Sequence, residues 1–563
     1  MRAYKNINRY QIWVIAALVM AAALRFCLVN WGYISFNSDE AVVGLMARHI
    51  LQGERPVFFY GQAYMGSLDA LLVAIGFYLF GEQVWVIRLV QSLIFLGVMI
   101  TTYSLGIKVF GSQKTAALAV AFLAVPSVNV ILYTTASLGG YGEALLIGNL
   151  VLLEGLRIAD KLSEQKDRFL TADWLVLGFL IGLGFWAFGL TLVYSIPTVI
   201  FLIYSIQKAR QGFQVTPETS SVSDEYESRI SWKLVITWLL SFCGGLIISL
   251  LPVWNYALEN GLHRLILELK GDAIRGIEGL PWLLQSLQHL LNLIIFGSTV
   301  VFGLRPPWDI TWLGLPLLPF ILIFWLFVIG DILRNLVTGN KKRKKVGLLL
   351  GVIFTLLCGF IFTPFGADPS GRYFLPLTVP LSLFAADFIV SLERKFGVKV
   401  YGMAAVLVIF NFWGIMQSAL RNPPGITTQF YEPARIDHRY DQELIDFLRE
   451  KGEKRGYSNY WVSYPIAFLS QEELIFIPCL PYHPDLRYTK RDDRYAPYTD
   501  LVGNAEKISY ITTKNELLNQ KIRESLLELE VTWNERQIGD FLIFYNLSKM
   551  VRPGALQLAE GEQ

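Results

Sequence analysis

YQIWVIAALVMAAALRFCLVNWGYISFNSDE, residues 10–40, opens the part of the chain that decides the fold. Its apolar part, residues 10–33, exceeds the about 20 residues that a helix needs to cross a bilayer core. The run is too long for a cleaved signal peptide, and no small-residue cleavage site precedes the acidic pair Asp39 and Glu40. We therefore expect a retained first membrane span that places two carboxylates at the membrane surface.

The composition excludes an ordinary soluble domain. Hydrophobic residues make up 53% of the 563 residues, charged residues make up 17%, and the mean hydropathy is +0.43. These values predict a polytopic protein whose main partner is the lipid bilayer. A net charge of +3 is too small to indicate a nucleic-acid partner. Three of the four cysteines lie in apolar runs, so neither a disulfide framework nor a cysteine metal site is predicted.

Further apolar runs of spanning length follow the first, and they predict an all-α polytopic membrane domain over residues 1–419. Two additional stretches, residues 67–80 and 283–302, are short or flanked by charge, and we expect surface-lying or re-entrant helices there. The total is therefore about 11–13 transmembrane helices. The eleven runs are residues 10–33, 84–107, 115–132, 140–157, 173–187, 189–206, 232–254, 310–330, 346–363, 373–391 and 400–418.

Basic residues predict the orientation, because short loops rich in Lys and Arg stay in the cytoplasm. If the eleven spans alternate, the N-terminus and the KKRKK run at residues 341–345 lie on one face with the other basic loops. The acidic pair then lies outside, and we expect a multi-pass protein of the inner (plasma) membrane.

Residues 420–563 contain no run long enough to span a membrane, and they predict a soluble extracytoplasmic (periplasmic) domain of α/β or α+β type. We expect a helix at residues 441–451. We expect strands at residues 460–463, 474–478, 508–512 and 540–545.

The residues after the first span predict a helix that begins with Ser38 as its N-cap and carries both acids in its first turn. Capping and a favourable dipole interaction would explain the acids without catalysis. The run to Gln52 is amphipathic, and we expect it to lie in the interface plane with Glu40, Gly44 and Arg48 on the water side.

The order of these segments resembles the GT-C superfamily of membrane glycosyltransferases. The similarity covers roughly residues 10–160 and is closest to the branch of the protein O-mannosyltransferases and the lipid A aminoarabinose transferase. A weaker likeness lies in GRYFLPLTVPLSLFAAD, residues 371–387. The segments that carry the resemblance are SFNSDEAVVGLMARHILQGERPVFFYGQAYMGSLDALLVAIGFYLFG (35–81), VWVIRLVQSLIFLGV (84–98) and KVFGSQK (108–114).

The resemblance implies a GT-C fold and a polyprenyl-phosphate sugar donor. It also implies that an acid of the first outer loop acts as base or positions the acceptor, and it maps this acid onto Asp39, with Glu40 beside it. Elementary chemistry agrees, because an inverting transfer needs one carboxylate to take the acceptor's proton and cations to hold the departing phosphate.

Three arginines are candidates for binding the donor phosphate: Arg25, Arg88 and Arg372, the last followed by Tyr373. For Arg25 and Arg88, the commoner explanation of a single arginine near a helix end is snorkelling toward the headgroups. Arg372 lies with Asp368 in a segment that matches the family's late outer loop.

Candidates for binding the sugar or the acceptor are Glu40, Tyr60, Gln62, Tyr64, Glu143 and Asp368. Aromatic residues also belong at membrane boundaries, and Glu143 could equally be an acid solvated at the outer interface. No cofactor is predicted. A divalent metal is not excluded, because Asp39, Glu40 and Glu143 could converge.

The sequence thus predicts an inverting glycosyltransferase that moves a sugar from a polyprenyl-phosphate donor to an acceptor hydroxyl at the extracytoplasmic membrane face. The acceptor could be protein, lipid or glycan. The alternative is a polytopic transporter or lipid flippase, which would require helix breaks at mid-bilayer and inverted-repeat symmetry between the halves.

Overall fold

The computed structural model describes residues 8–164, 170–211, 231–263, 265–266, 281–337, 345–421, 425–487 and 489–556. The charged stretch from His263 to Arg275, which the sequence predicts to be a helix with a solvated face, falls almost entirely outside these ranges.

Up to residue 419 the described chain is almost entirely helical, as the sequence predicts. One short hairpin interrupts it, formed by β1 (Phe58–Phe59) and β2 (Gln62–Gly66). The helices are α1 (Arg9–Asn30), α2 (Ser38–Leu51), α3 (Leu68–Phe80), α4 (Val84–Phe110), α5 (Gln113–Ala124), α6 (Val128–Tyr133), α7 (Tyr141–Ser163), α8 (Leu170–Ala187), α9 (Leu192–Gln211), α10 (Trp232–Ser249), α11 (Leu251–Asn260), α12 (Trp282–Asn292), α13 (Leu318–Val337), α14 (Val346–Phe362), α15 (Thr378–Phe396) and α16 (Tyr401–Ala419).

Eight helical segments of the described chain are long and apolar enough to cross a membrane, which makes this a multi-pass membrane protein. One of them is Trp282–Val301, a stretch that we expected to lie at the surface or to re-enter. Two predicted spans are broken instead. Residues 115–132 divide into α5 and α6 around Pro126, and residues 232–254 divide into α10 and α11 just before Pro252. Both breaks fit proline, which lacks the N–H that continues a helix.

The C-terminal part contains a five-stranded sheet flanked by helices, which confirms a small α/β-type region after the membrane helices. The helices are α17 (Asp441–Lys451), α18 (Tyr460–Leu469), α19 (Ala496–Gly503) and α20 (Glu516–Glu528). The strands are β3 (Arg455–Ser458), β4 (Ile475–Pro478), β5 (Ser509–Thr513), β6 (Asn534–Ile538) and β7 (Phe541–Tyr545).

The strands are ordered β4-β3-β5-β7-β6. The first three are parallel, whereas β7 and β6 are antiparallel to their neighbours. The predicted helix at 441–451 and three of the four predicted strands are present within one or two residues.

The strand predicted at residues 460–463 is wrong, because this segment begins helix α18. Its Tyr-Trp-Val composition is typical of strands. Asn459 precedes it, however, and the Asn459 side chain accepts a hydrogen bond from the Trp461 amide, which caps a helix. The strand of this region is β3, immediately upstream.

The prediction that the side of α2 with Glu40, Gly44 and Arg48 faces water is also wrong. Glu40 is completely buried and Arg48 is 5% exposed. A Cβ added at Gly44 would lie 2.6 Å from the ring of Phe468, so α18 packs directly against this side of α2. The Arg48 guanidinium donates to the Phe468 carbonyl at 3.1 Å and to Glu82 at 2.7 Å. The polar face of α2 is therefore covered by the C-terminal region instead of by water.

Candidate active site

The N-terminus of α2 holds Asp39 against the C-terminal region. The cap of this helix is Asn37, not Ser38 as predicted, because the Asn37 side chain accepts from the Glu40 amide at 3.1 Å. Ser38 instead donates to the Tyr460 carbonyl. The Tyr460 hydroxyl donates to Asp39 Oδ1 at 2.6 Å. Asp39 itself is only partly buried, so its carboxylate is oriented by one tyrosine and stays accessible.

Arg494 brings a cation from the C-terminal region to this carboxylate. Its guanidinium lies over the Tyr460 ring, 5.2 Å from the centroid, and donates to the Gly61 carbonyl at 3.2 Å. Burial opposes the charged form of Arg494, yet its pKa is raised because Tyr460, Asp39 and Asp492 surround it. Arg494 and Asp39 therefore belong to one electrostatic cluster.

Gln62 connects this cluster to Tyr64. With the Gln62 amide oxygen turned toward Arg494, that oxygen accepts from both terminal nitrogens at 2.8 and 2.9 Å. In the same orientation the Gln62 amide nitrogen donates to the Tyr64 hydroxyl at 3.2 Å. Burial raises the pKa of Tyr64, and the charges of Arg372, Arg494 and Asp39 all act on it. Tyr64 thus lies among two arginines and the carboxylate.

Arg372 approaches Tyr64 from the membrane helices. Its guanidinium forms an ion pair with Asp368 at 2.5 Å and lies 5.0 Å from the centroid of the Tyr373 ring. The Arg372 side chain is 36% exposed, so it can meet a ligand. The preceding Gly371 has φ +104°, and a Cβ there would lie 2.4 Å from Val300. Only glycine fits this turn, which sets where Arg372 points.

Tyr64 and Tyr373 help to line a cavity of about 410 Å³. Its wall is mainly apolar and is built largely from the end of α8, from α9 and from α14. Predominantly apolar walls with a few polar groups are typical of ligand sites. The residues that line the cavity include Phe58, Phe185, Trp186, Phe188, Leu192, Ile196, Thr355, Leu356, Gly359, Phe360 and Phe365.

Two predicted ligand-binding residues bind each other instead. Arg88 donates through Nε and Nη2 to the two oxygens of Glu40, each at 2.9 Å. Glu40 is fully buried and Arg88 is 5% exposed. The two charges therefore compensate each other in this structure, which argues against the predicted substrate contact of Glu40 and the predicted phosphate contact of Arg88.

Glu143 lies in a second buried acidic cluster. One amide nitrogen of Gln91 donates to both Glu143 and Asp69, at 2.9 Å in each case. Asp69 also accepts from Ser137 at 2.6 Å. Asp39, Glu40 and Glu143 are therefore held by different partners. Among the residues that the structure describes, no three His, Cys, Asp or Glu side chains are grouped as metal ligands.

Tyr60 and Arg25 also lie apart from the Asp39 cluster. The Tyr60 hydroxyl donates to Glu54 at 2.7 Å and contacts His49 at 3.0 Å. Arg25 is 1% exposed, donates to Thr134 at 3.0 Å and lies 3.9 Å from the centroid of the Phe95 ring. Arg25 neither snorkels nor points at the cavity, so its predicted phosphate contact is not supported.

Of the predicted site residues, the structure brings together Asp39, Gln62, Tyr64, Asp368, Arg372 and Tyr373. Sequence reasoning missed Tyr460 and Arg494, both in the C-terminal region. The run RDDRY at residues 491–495 carried a signal, because it places two cations beside two acids in an aromatic context.

Neither the known protein families nor the curated proteins provide a match to this sequence. Solved structures do. The chain is similar to ArnT from Cupriavidus metallidurans bound to undecaprenyl phosphate, with 11% identity and a TM-score of 0.56 over 96% of this chain and 99% of that one. The apo state of the same ArnT matches with 11% identity and a TM-score of 0.55 over the same shares of the two chains.

A looser match is the archaeal oligosaccharyltransferase AglB from Archaeoglobus fulgidus in complex with an inhibitory peptide and a dolichol-phosphate. It has 13% identity and a TM-score of 0.46, over 88% of this chain and 69% of that one. The likeness to ArnT spans nearly the whole of both chains and includes the C-terminal region. The protein therefore shares the GT-C fold of ArnT.

Proposed function

We propose that this protein is an inverting glycosyltransferase that moves a sugar from a polyprenyl-phosphate donor to an acceptor hydroxyl at the extracytoplasmic membrane face. One observation carries the proposal. A partly accessible carboxylate, Asp39, shares a cluster with Arg372 and Tyr64, and Tyr64 lines the mouth of an apolar cavity.

The cavity suits the isoprenoid part of such a donor. Its wall comes from α9, a candidate membrane-crossing helix, and from the shorter apolar helix α14. An isoprenoid chain would bury apolar surface there, at about 25 cal/mol per Å². The phosphate would then lie at Arg372, because the planar guanidinium donates paired hydrogen bonds to phosphate oxygens. The ArnT structure bound to undecaprenyl phosphate supports this class of ligand.

Asp39 would supply the base. The acceptor oxygen attacks the anomeric carbon of the sugar from the face opposite the phosphate, and the acceptor's proton passes to Asp39. The bond between that carbon and the phosphate oxygen breaks, and its electron pair leaves with the polyprenyl phosphate. The hydrogen bond from Tyr460 keeps the Asp39 carboxylate in one orientation. General-base catalysis of this kind contributes about 10²–10⁴-fold in rate.

The site requires the N-terminus of α2 and the C-terminal region to lie on the same side of the membrane. We infer that this is the outer side, with the N-terminus in the cytoplasm, because the basic loops lie on the opposite face in the predicted topology. The membrane would be the plasma (inner) membrane, and the acceptor would be a protein, lipid or glycan hydroxyl.

The test replaces Asp39 by Asn, which keeps the size of the side chain and removes the base. We expect D39N to lose transfer from a radiolabelled polyprenyl-phosphate sugar by at least about 10²-fold. Asp485→Asn is the matched control, because Asp485 is exposed and pairs only locally with Arg487.

Thermal unfolding in detergent checks that D39N is folded. Full activity of folded D39N would contradict the proposal. If the protein, reconstituted in liposomes without acceptor, moves the donor lipid across the bilayer, and if D39N moves it equally well, the protein would instead be a flippase.

A further inference from the structure

Arg494 is a cation whose hydrogen-bonding capacity is only partly used. Its terminal nitrogens reach the Gly61 carbonyl and the Gln62 amide oxygen. Its Nε is buried and has no hydrogen-bond partner in the described part of the chain. A buried donor without a partner is costly, and in a native site it indicates a ligand or a functional requirement.

Arg372, whose charge also acts on Tyr64, shows the same feature. The Nε of Arg372 is also buried and lacks a partner among the described residues. Asp368 pairs with the terminal nitrogen Nη2 of Arg372, at 2.5 Å. The charges of both arginines act on the Tyr64 hydroxyl, which is directly hydrogen-bonded to Gln62. Arg494 and Arg372 therefore each have an unused Nε donor, and the charges of both act on Tyr64, which lines the cavity.

The local charge balance leaves room for an anion. Tyr460 contacts both groups, because its hydroxyl donates to Asp39 and its ring face lies against Arg494. Asp39 attracts Arg494 electrostatically, but the described part of the chain shows no direct ion pair between them that a ligand would have to break. Asp492, two residues before Arg494, has its pKa raised to about 7 by burial, so it neutralises Arg494 only partly near pH 7.

We propose that Arg494 is a second phosphate-binding residue, supplied to the active site by the C-terminal region. This rests on the proposed function and names the group that takes up the charge released in the reaction. The donor is a phosphodiester with one negative charge, whereas the leaving polyprenyl phosphate is a monoester that carries nearly two at neutral pH. A cation that faces this extra charge acts mainly on the transition state and the product.

The active site is then built from two parts of the chain. Arg372 comes from the turn before α15, and Arg494 comes from the loop before α19. Removal of Arg494 should lower kcat more than it changes the donor's KM, and it should weaken inhibition by polyprenyl phosphate. A residue that only held the two regions together would lower stability without changing the affinity of folded protein for that inhibitor.

The experiment compares full-length Arg494→Gln, Arg494→Lys and the control Arg487→Gln in detergent. Arg487 belongs to the same loop but is half exposed and pairs with Asp485. We measure kcat, the donor's KM, the inhibition constant of undecaprenyl phosphate at pH 5.5 and 7.5, and the thermal midpoint.

We expect R494Q to lose about 10²-fold in kcat. We also expect it to bind undecaprenyl phosphate about tenfold more weakly at pH 7.5, with a smaller difference at pH 5.5, where the monoester carries less charge. R494K, which keeps the charge but not the fork, should lie between R494Q and the parent. R487Q should match the parent.

An unchanged inhibition constant in folded R494Q would overturn the inference, whatever happens to kcat. If R494Q does not fold, R494K decides, because an inhibition constant equal to that of the parent at both pH values would be equally fatal. D39N, assayed in parallel, separates the two proposals. An inactive D39N with a fully active R494Q removes only the role of Arg494, whereas an active D39N removes the proposed function.

Discussion

Replacement of Arg88 by Met should destabilise the protein strongly and in a pH-dependent way. Glu40 has no exposed surface, and Arg88 binds both of its oxygens at 2.9 Å. Met fills much of the volume of the arginine stem but supplies no charge. Burial already raises the pKa of Glu40, and Arg88 is the main influence that lowers it. Without Arg88, the cheapest response is for Glu40 to take up a proton.

The ordinary pKa of Glu40 sets the size of the stability loss in R88M. To protonate a carboxyl of ordinary pKa 4.5 costs about 3.4 kcal/mol at pH 7 and about 1.4 kcal/mol at pH 5.5. These values are ceilings for the charge-related cost, because the protein protonates Glu40 whenever that is cheaper than burying its charge. The value at pH 7 agrees with the about 3–5 kcal/mol of stability that is lost when one partner of a buried ion pair is removed. A raised folded-state pKa makes the loss grow as the pH rises above 4.5.

The assay is the thermal midpoint of purified protein in detergent at pH 5.5 and pH 8, together with transfer activity at the permissive temperature. R88M should melt well below the parent at pH 8 and approach it at pH 5.5. The double variant Glu40→Gln, Arg88→Met should recover most of the lost stability, because it buries no charge. It should also keep transfer activity within about tenfold of the parent, since the two side chains bind each other and do not line the cavity.

A stable R88M with a raised donor KM would refute this reasoning and return Arg88 to the phosphate site. A double variant no more stable than R88M would also refute it, because the cost could not then come from an unpaired Glu40.

Three further expectations follow from the cavity and from the C-terminal region. Gly359→Phe should fill the cavity and raise the donor's KM without unfolding the protein, because a Cβ at Gly359 meets no atom within 4 Å. The control is Gly347→Phe, on the same helix but outside the cavity lining, and equal KM values for the two variants would argue against lipid binding in the cavity. Glu472→Gln should loosen the C-terminal region from α2, which limited proteolysis would measure. Burial opposes ionisation of Glu472, but His49 and Tyr498 lower its pKa to about 2, so the stability that ionised Glu472 contributes is complete above pH 4.5 and is lost as the pH falls toward 2. Asp492→Asn should raise the thermal midpoint at pH 8.5 and leave it nearly unchanged at pH 4, because burial raises the pKa of Asp492 from 3.8 to about 7 and the parent loses stability as the pH rises between these values. A midpoint equal to that of the parent at pH 8.5 would show that Asp492 is not buried as an anion.

The parts of this protein that the sequence predicted are those governed by local patterns. Helices α4, α14 and α16 follow runs of apolar residues of nearly the observed length. The acids of α2 lie in its first turn as expected. In each case the spacing of residues along a few turns of chain was sufficient.

Most errors at the candidate site come from contact between residues far apart in the sequence. A lone arginine near a helix end is explained equally well by snorkelling, by phosphate or by a buried acid, and only the fold places Arg88 against Glu40. The amphipathic pattern of α2 predicted a helix with one polar face, but it did not say that α18 would cover that face. The same contact turns Asp39 toward Tyr460, about 420 residues away in the sequence. Because the C-terminal region supplies both Tyr460, which orients Asp39, and Arg494, it is better regarded as half of the candidate active site than as an appendage of the membrane helices.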